Sequence, residues 1–342
     1  EECRHVAAHA GILELTGFSR FHVTGVGADD WLKTQITGNL PLVGRIGLVY
    51  FASPKGKVLS EMTLTRFAKN DFLLMTGAGA YWHDRDLLNA SLPKNKSISI
   101  ADVTRDLATL LVTGPKAAAI LAAVMGQTTS TEDFPWLSHQ KVRIAGFEVT
   151  AIRVSYAGEA GFELHCKMTD VVSVYDFVLA AGEAYQLRPF GMLALDSMRL
   201  EKGYRSWKAD LTSDYTMLES GLGRWVNFNK EDFVGRTALQ SESQAGSGRE
   251  FVTLVLDDPE DDGPFGEAVY LSSVVIDGAD AGLVVSSGYG HRVGASIAMA
   301  VIDRKSLKSG SDISVHVLGR PRRATLIEGH VLYDPKNTKM KG

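Results

Sequence analysis

The sequence predicts an α+β protein: two similar sheet-and-helix units followed by a small β-barrel. Three observations carry that prediction. The order strand, Gly-Pro, helix at residues 108–125 loosely echoes residues 21–38, where Gly25-Val26-Gly27 precedes a helix, as expected of a duplicated arrangement whose halves share little sequence. Residues 241–249 (SESQAGSGR) are polar and read as a flexible linker. Beyond them the chain turns into about six short strand-like runs, a spacing that a small barrel satisfies. The expected division is 1–240, holding two intertwined α+β subdomains, and 250–336, the barrel.

Taken in order, residues 1–16 open as a helix and become extended after Gly11. Phe18–Thr24 alternates like a strand, and Asp29 and Asp30 sit where acids favour the positive end of the helix that starts at Ala28. Tyr50–Lys57 and Val58–Thr65 read as a hairpin closed by Pro54-Lys55-Gly56. A strand at Asp71–Thr76 leads to a helix over Tyr81–Leu92 that stops at Pro93. The second unit has a strand ending at Gly114-Pro115 and a helix over Lys116–Met125, with the proline suited to its first turn. Helices follow at Thr169–Tyr185 and Met192–Lys202. The barrel strands are expected at Phe251–Leu256, Ala268–Leu271, Ala281–Gly288, Ser296–Ile302, Ile313–Leu318 and Arg323–Ile327.

Composition excludes several function classes. The 342 residues are 45% hydrophobic and 22% charged, with a net charge of −4 and a pI near 6.2, so there is no basic footprint for nucleic acid. No apolar run approaches the roughly 18–20 residues that span a bilayer. Cys3 and Cys166 have no C-x-x-C spacing, and no H-E-x-x-H occurs, so neither a disulfide framework nor a metal site is expected. A reducing compartment is expected, cytoplasmic or, in a eukaryote, the mitochondrial matrix. The chain starts at Glu1 without an initiating Met and reads as processed or cut from something longer. Gly77-Ala78-Gly79-Ala80 lacks the remainder of a dinucleotide fingerprint.

Three constellations could carry chemistry. In Ile152–Cys166, two glycines break a strand into a turn, and Tyr156 stands seven residues before Glu163. Phe162 and Leu164 share one face and Glu163 takes the other, giving either a binding corner or a surface hairpin. Glu61 alternates with Ser60 and Met62; half-buried, its carboxyl would titrate high and suit proton transfer to an amine, and exposed it would be a solvent-face glutamate. Asp196 and Arg199 can meet on one helical face, leaving an oriented arginine either for an anion or ring, or for a structural ion pair.

The runs RVSYAGEAGFEL, LDSMRLEKGYRSW, ESGLGRWV, DFVGRTAL and VSSGYGHRVGASIAMAVI, in this order, resemble the folate-binding aminomethyltransferase family, of which the glycine-cleavage T-protein is the best-known member. ITGNLPLVGRIGLVYFASPKGKVLSEMTLT and RLEKGYRSW are most similar to the C-terminal half of dimethylglycine and sarcosine dehydrogenases. The resemblance implies a cloverleaf of three subdomains around a central channel for tetrahydrofolate. It implies that Glu163 grips the pterin N–H groups, that Tyr156 lines the folate slot and that Arg199 is the arginine of the family's Leu-Arg-Leu-Glu helix. Glu61 lies where the family places a catalytic aspartate, with Ser60-Glu61 replacing a pair of aspartates. The implied activity is a tetrahydrofolate-dependent module that captures the carbon of an oxidised N-methylamine as 5,10-methylenetetrahydrofolate, with FAD confined to a partner flavoprotein domain. A stand-alone aminomethyltransferase or demethylase is the alternative. A non-enzymatic folate protein of iron–sulfur maintenance is disfavoured, because those relatives carry Lys-Gly-Cys-Tyr where Lys202-Gly203 runs directly into Tyr204.

Overall fold

The computed structural model describes residues 1–257 and 267–341. Its first sheet has five antiparallel strands in the spatial order Ile46–Ala52, Val58–Ala68, Asp71–Thr76, Ser19–Gly25, Ile98–Asp102. The second sheet runs His139–Ile144, Phe147–Arg153, Gly161–Lys167, Leu107–Thr113, Ala10–Glu14, with the short Leu187–Pro189 added in parallel at its edge. Position by position the two orders coincide: a hairpin, a third strand, the unit's first strand, then a closing strand. The duplication is therefore one of topology. The halves interlock because Ala10–Glu14, which precedes the first unit in sequence, closes the sheet of the second.

Each unit packs its own core. Helices Ala117–Met125 and Val171–Gly182 cover the six-stranded sheet through Ile120, Leu121, Val174 and Val178, against Leu110, Val112, Phe162 and Leu164. Helices Ala28–Gln35 and Tyr81–Ala90 cover the five-stranded sheet through Trp31, Leu32 and Leu88. The third unit is a closed six-stranded barrel in the order Arg249–Leu256, Ala295–Asp303, Ala279–Gly290, Ser273–Ile276, Ile313–Val317, Arg320–Leu326, filled by inward residues such as Val274, Ala298 and Val315. Among the described residues no helix is long and apolar enough to cross a membrane.

Two expectations fail locally. Residues 241–249 are not a free linker: the helix Arg236–Ala245 runs through half of them, Gly246 ends it at φ +83°, and the first barrel strand starts at Arg249. Glu242 ties that helix down by accepting from Thr216 Oγ1 at 2.8 Å and Ser247 Oγ at 2.6 Å. The strand expected at Ala268–Leu271 is displaced to Ser273–Ile276. Reciprocal bonds between Val269 and Ser272 close a turn there, Val269 N to Ser272 Oγ at 3.1 Å and Ser272 N to Val269 O at 3.0 Å. The strand His139–Ile144, flanked by a positive-φ Leu137 and Ala145, has no counterpart among the sequence expectations.

Candidate functional site

The three units meet at the helix Met192–Glu201 and the segment after it. Strand Val58–Ala68 points Ser60, Met62 and Leu64 into the core and turns Glu61 the other way. Glu61 accepts a hydrogen bond from Tyr50 Oη at 2.6 Å, across the ladder in which the two residues are paired. Burial raises the Glu61 carboxyl to about 7, against the opposing pull of the Tyr50 hydroxyl and the Arg205 guanidinium. Glu61 nevertheless keeps some contact with solvent. Desolvation with residual solvent contact sets Glu61 apart from a solvent-face glutamate.

Tyr156 has the same double character. It is 36% exposed, yet burial lifts its phenol above its ordinary value, with Arg199 opposing and Glu61 adding to the rise. Its ring stacks on Tyr204 at 6.0 Å and 17°, and its hydroxyl donates to the Arg205 carbonyl at 3.1 Å. The turn that presents it needs glycine: Gly158 sits at φ +80°, and a Cβ there would come within 2.4 Å of Lys202 Cγ.

Of the two readings of Arg199, its own contacts are those of the ion pair. It is 2% exposed and its donors are taken by the protein: Nε by Asp196 at 2.7 Å, Nη1 by Asp210 at 2.5 Å and the Tyr204 carbonyl at 3.0 Å, Nη2 by Ser286 at 2.8 Å. It cross-links helix, loop and barrel, holding Tyr204, Asp210 and Ser286 in place beside Glu61 and Tyr156. Glu61, Tyr156 and Arg199 therefore share one cluster. Glu163 belongs to a second group on the six-stranded sheet, where Oε2 meets His165 Nε2 at 3.0 Å and Oε1 has no hydrogen bond among the described residues.

Sequence reasoning missed Tyr50, Arg205 and Asp210. Arg205 has no acidic partner within salt-bridge distance among the described residues; its guanidinium lies 4.0 Å over the Phe251 ring, and its Nε is buried without a partner. Such a cation beside a high-titrating carboxylate is a marker of a binding site, but nothing in the run RLEKGYRSW distinguishes it from Arg199. Among the described residues no group of three or more His, Cys, Asp or Glu could hold a metal ion, and both cysteines are buried and free.

Residues 1–230 match the family model described as the GCVT N-terminal domain, and residues 249–334 match the glycine cleavage T-protein C-terminal barrel domain. The chain belongs to the glycine cleavage T-protein family. Within that family, it is 31% identical over 343 residues to the mitochondrial dimethylglycine dehydrogenase of Rattus norvegicus, covering 99% of this chain and 39% of that protein. It is 28% identical over 325 residues to an aminomethyltransferase of Caldanaerobacter subterraneus subsp. tengcongensis, covering 93% of this chain and 84% of the other. The structure of the glycine cleavage system aminomethyltransferase T from Bartonella henselae superposes with a TM-score of 0.83 at 23% identity, over 97% of this chain and 89% of that one. This T-protein-family chain thus has the aminomethyltransferase T fold with its C-terminal barrel, and spans only 39% of the length of the rat dehydrogenase it matches.

Proposed function

We propose that this chain binds tetrahydrofolate and uses it in a one-carbon transfer of the aminomethyltransferase type. The observation that carries the reading is Glu61: a carboxyl that burial raises to about 7, bonded to Tyr50 and near Arg205, in a chain of the T-protein family. Tetrahydrofolate, when bound, would supply the amine nitrogens that accept the one-carbon unit. The available side chains suit such a ligand. Glu163 offers an unpartnered carboxylate oxygen to an edge of N–H donors, and charge-assisted bonds of that kind are strong. Tyr156 offers an exposed ring face already stacked on Tyr204. Glu61 holds or releases a proton at Oε1 or Oε2 near neutral pH, with Tyr50 orienting it. Arg199 positions the walls.

The donor of the carbon has two readings. The Caldanaerobacter aminomethyltransferase matches over 84% of its own length, so a transferase taking the carbon from an aminomethylated carrier accounts for nearly the whole chain. The folate module of an N-methylamine dehydrogenase, with FAD on a flavoprotein partner, is favoured by the 99% coverage of this chain in the dimethylglycine dehydrogenase match. The test is to supply tetrahydrofolate with either an aminomethylated carrier protein or dimethylglycine and a flavoprotein dehydrogenase, and to follow methylenetetrahydrofolate. Chain-dependent product in one arm assigns the donor class. Rates no higher than those without the chain in both arms would sink the proposal.

A further inference from the structure

Glu163 and His165 stand two residues apart on the strand Gly161–Lys167, on the face opposite Phe162, Leu164 and Cys166, which belong to the core. His165 is 5% exposed and touches two groups: Glu163 Oε2 at 3.0 Å through Nε2, and Thr109 Oγ1 at 3.1 Å through Nδ1. Thr109 Oγ1 in turn lies 2.7 Å from Nη2 of Arg20, a fully buried arginine on the neighbouring five-stranded sheet. Arg20 has no acidic partner in direct contact among the described residues; its remaining bonds go to the carbonyls of Leu15, Thr16 and Phe18.

For a neutral imidazole, the chemistry of the end groups dictates the direction of every bond in this chain. A guanidinium only donates and an ionised carboxylate only accepts. Thr109 therefore receives a hydrogen from Arg20 and passes its own to His165 Nδ1. His165 must then carry its proton on Nε2 and donate it to Glu163. The opposite tautomer would set the lone pair of Nε2 against a carboxylate oxygen. Bonds aligned head to tail between a cation and an anion polarise one another, and the charge of Glu163 is the largest of those offsetting the desolvation of Arg20.

We infer that His165, held in its Nε2–H tautomer by Arg20 and Thr109, is a positioning residue that fixes the Glu163 carboxylate with Oε2 engaged and Oε1 turned free for the ligand. The chain also makes Arg20 the buried counter-cation of Glu163, so that the first sheet stabilises the ligand-binding charge of the second. The inference rests on the folate-holding role proposed above for Glu163.

The test is calorimetric titration of folinic acid into the full chain, with the melting temperature of each variant measured beside it. Glu163→Gln and His165→Leu should each weaken binding roughly tenfold or more, the loss expected for a bond to a charged group. Thr109→Val should weaken it by roughly threefold, because the imidazole loses its orienting donor. His165→Gln, whose amide can still donate to Glu163, should return affinity to within roughly threefold of wild type. Nitrogen-15 spectra of His165 should show a protonated Nε2 and an unprotonated Nδ1. If Glu163→Gln weakens binding and His165→Leu does not, His165 does not position Glu163. The positioning role is equally overturned if His165→Gln binds as poorly as His165→Leu at an unchanged melting temperature, or if the spectra show the other tautomer. Should His165→Leu not fold, wild-type affinity in Thr109→Val overturns the chain of bonds. Unchanged binding in Glu163→Gln would instead strike at the role of Glu163 itself, and the positioning role would fall with it.

Discussion

Glu61 concentrates the chemistry of the candidate site in one titration. Its carboxyl is raised from 4.5 to about 7, first by desolvation, while the Tyr50 hydroxyl and Arg205 act in the other direction. Between those two pH values the folded chain binds a proton that the unfolded chain has lost. The stability contributed by this protonation is thus fully present below 4.5 and is lost as pH rises to about 7. Glu61→Gln removes that dependence, so its melting temperature should gain on the wild type from pH 5 to pH 8; a constant difference would place Glu61 in an ordinary solvated setting. The same substitution should leave folate affinity nearly intact and cut one-carbon transfer by about 10²- to 10⁴-fold, the usual worth of a proton-transfer group. Tyr50→Phe removes a donor that favours the ionised form, so the inflection of the rate profile near 7 should move to higher pH. An inflection that stays in place would show that another group titrates. The outward direction of Glu61 was legible from its alternation with Ser60 and Met62. Tyr50 was not, since strand pairing alone brings it there.

At the scale of elements, the helix Met192–Glu201 is the hub, and buried charge fastens it. Arg292, from the turn between two barrel strands, donates Nη1 to Glu159 at 2.9 Å, Nε to Glu201 and Nη2 to the Met198 carbonyl at 2.7 Å. Both acids are fully buried, and Tyr333 Oη also donates to Glu159 at 2.6 Å. Lys202 anchors the C-terminal tail through the carbonyls of Tyr333 and Asp334 and through Asn337 Oδ1, at 3.1, 2.8 and 2.8 Å. Arg292→Met would strand two buried carboxylates and should cost about 3–5 kcal/mol in a denaturation experiment. A loss under about 1 kcal/mol would class the network with exposed ion pairs. The Asp196–Arg199 contact was readable because helical geometry relates residues three apart. The Arg292 contacts join residues 91 and 133 positions apart, and no local pattern announces them. The displaced strand near Ser273 errs for a related reason: the residues Val269 and Tyr270 favour strand, and one serine hydroxyl diverts them into a turn.

For the whole molecule, the repeat of strand order in two sheets and the closed barrel make three walls, and the proposed ligand groups come from the first two. Glu61 comes from the first sheet, Tyr156 and Glu163 from the second, and Arg199 ties the hub helix and the loop after it to the barrel through Ser286. The duplicated order was visible in sequence as a repeated strand, glycine turn and helix. The interlocking was not, because Ala10–Glu14 pairs with the distant strands Leu107–Thr113 and Leu187–Pro189. A ligand seated among these walls needs all of them assembled, so folate binding should belong to the intact chain and require no flavin. Titration of folinic acid into the FAD-free chain measures that most directly. Saturable binding with a rise in melting temperature is expected, with affinity lowered roughly tenfold or more by Glu163→Gln but little by Glu61→Gln. Absence of heat and of any thermal shift at millimolar folinic acid, or equal losses in the two variants, would contradict the proposed folate site.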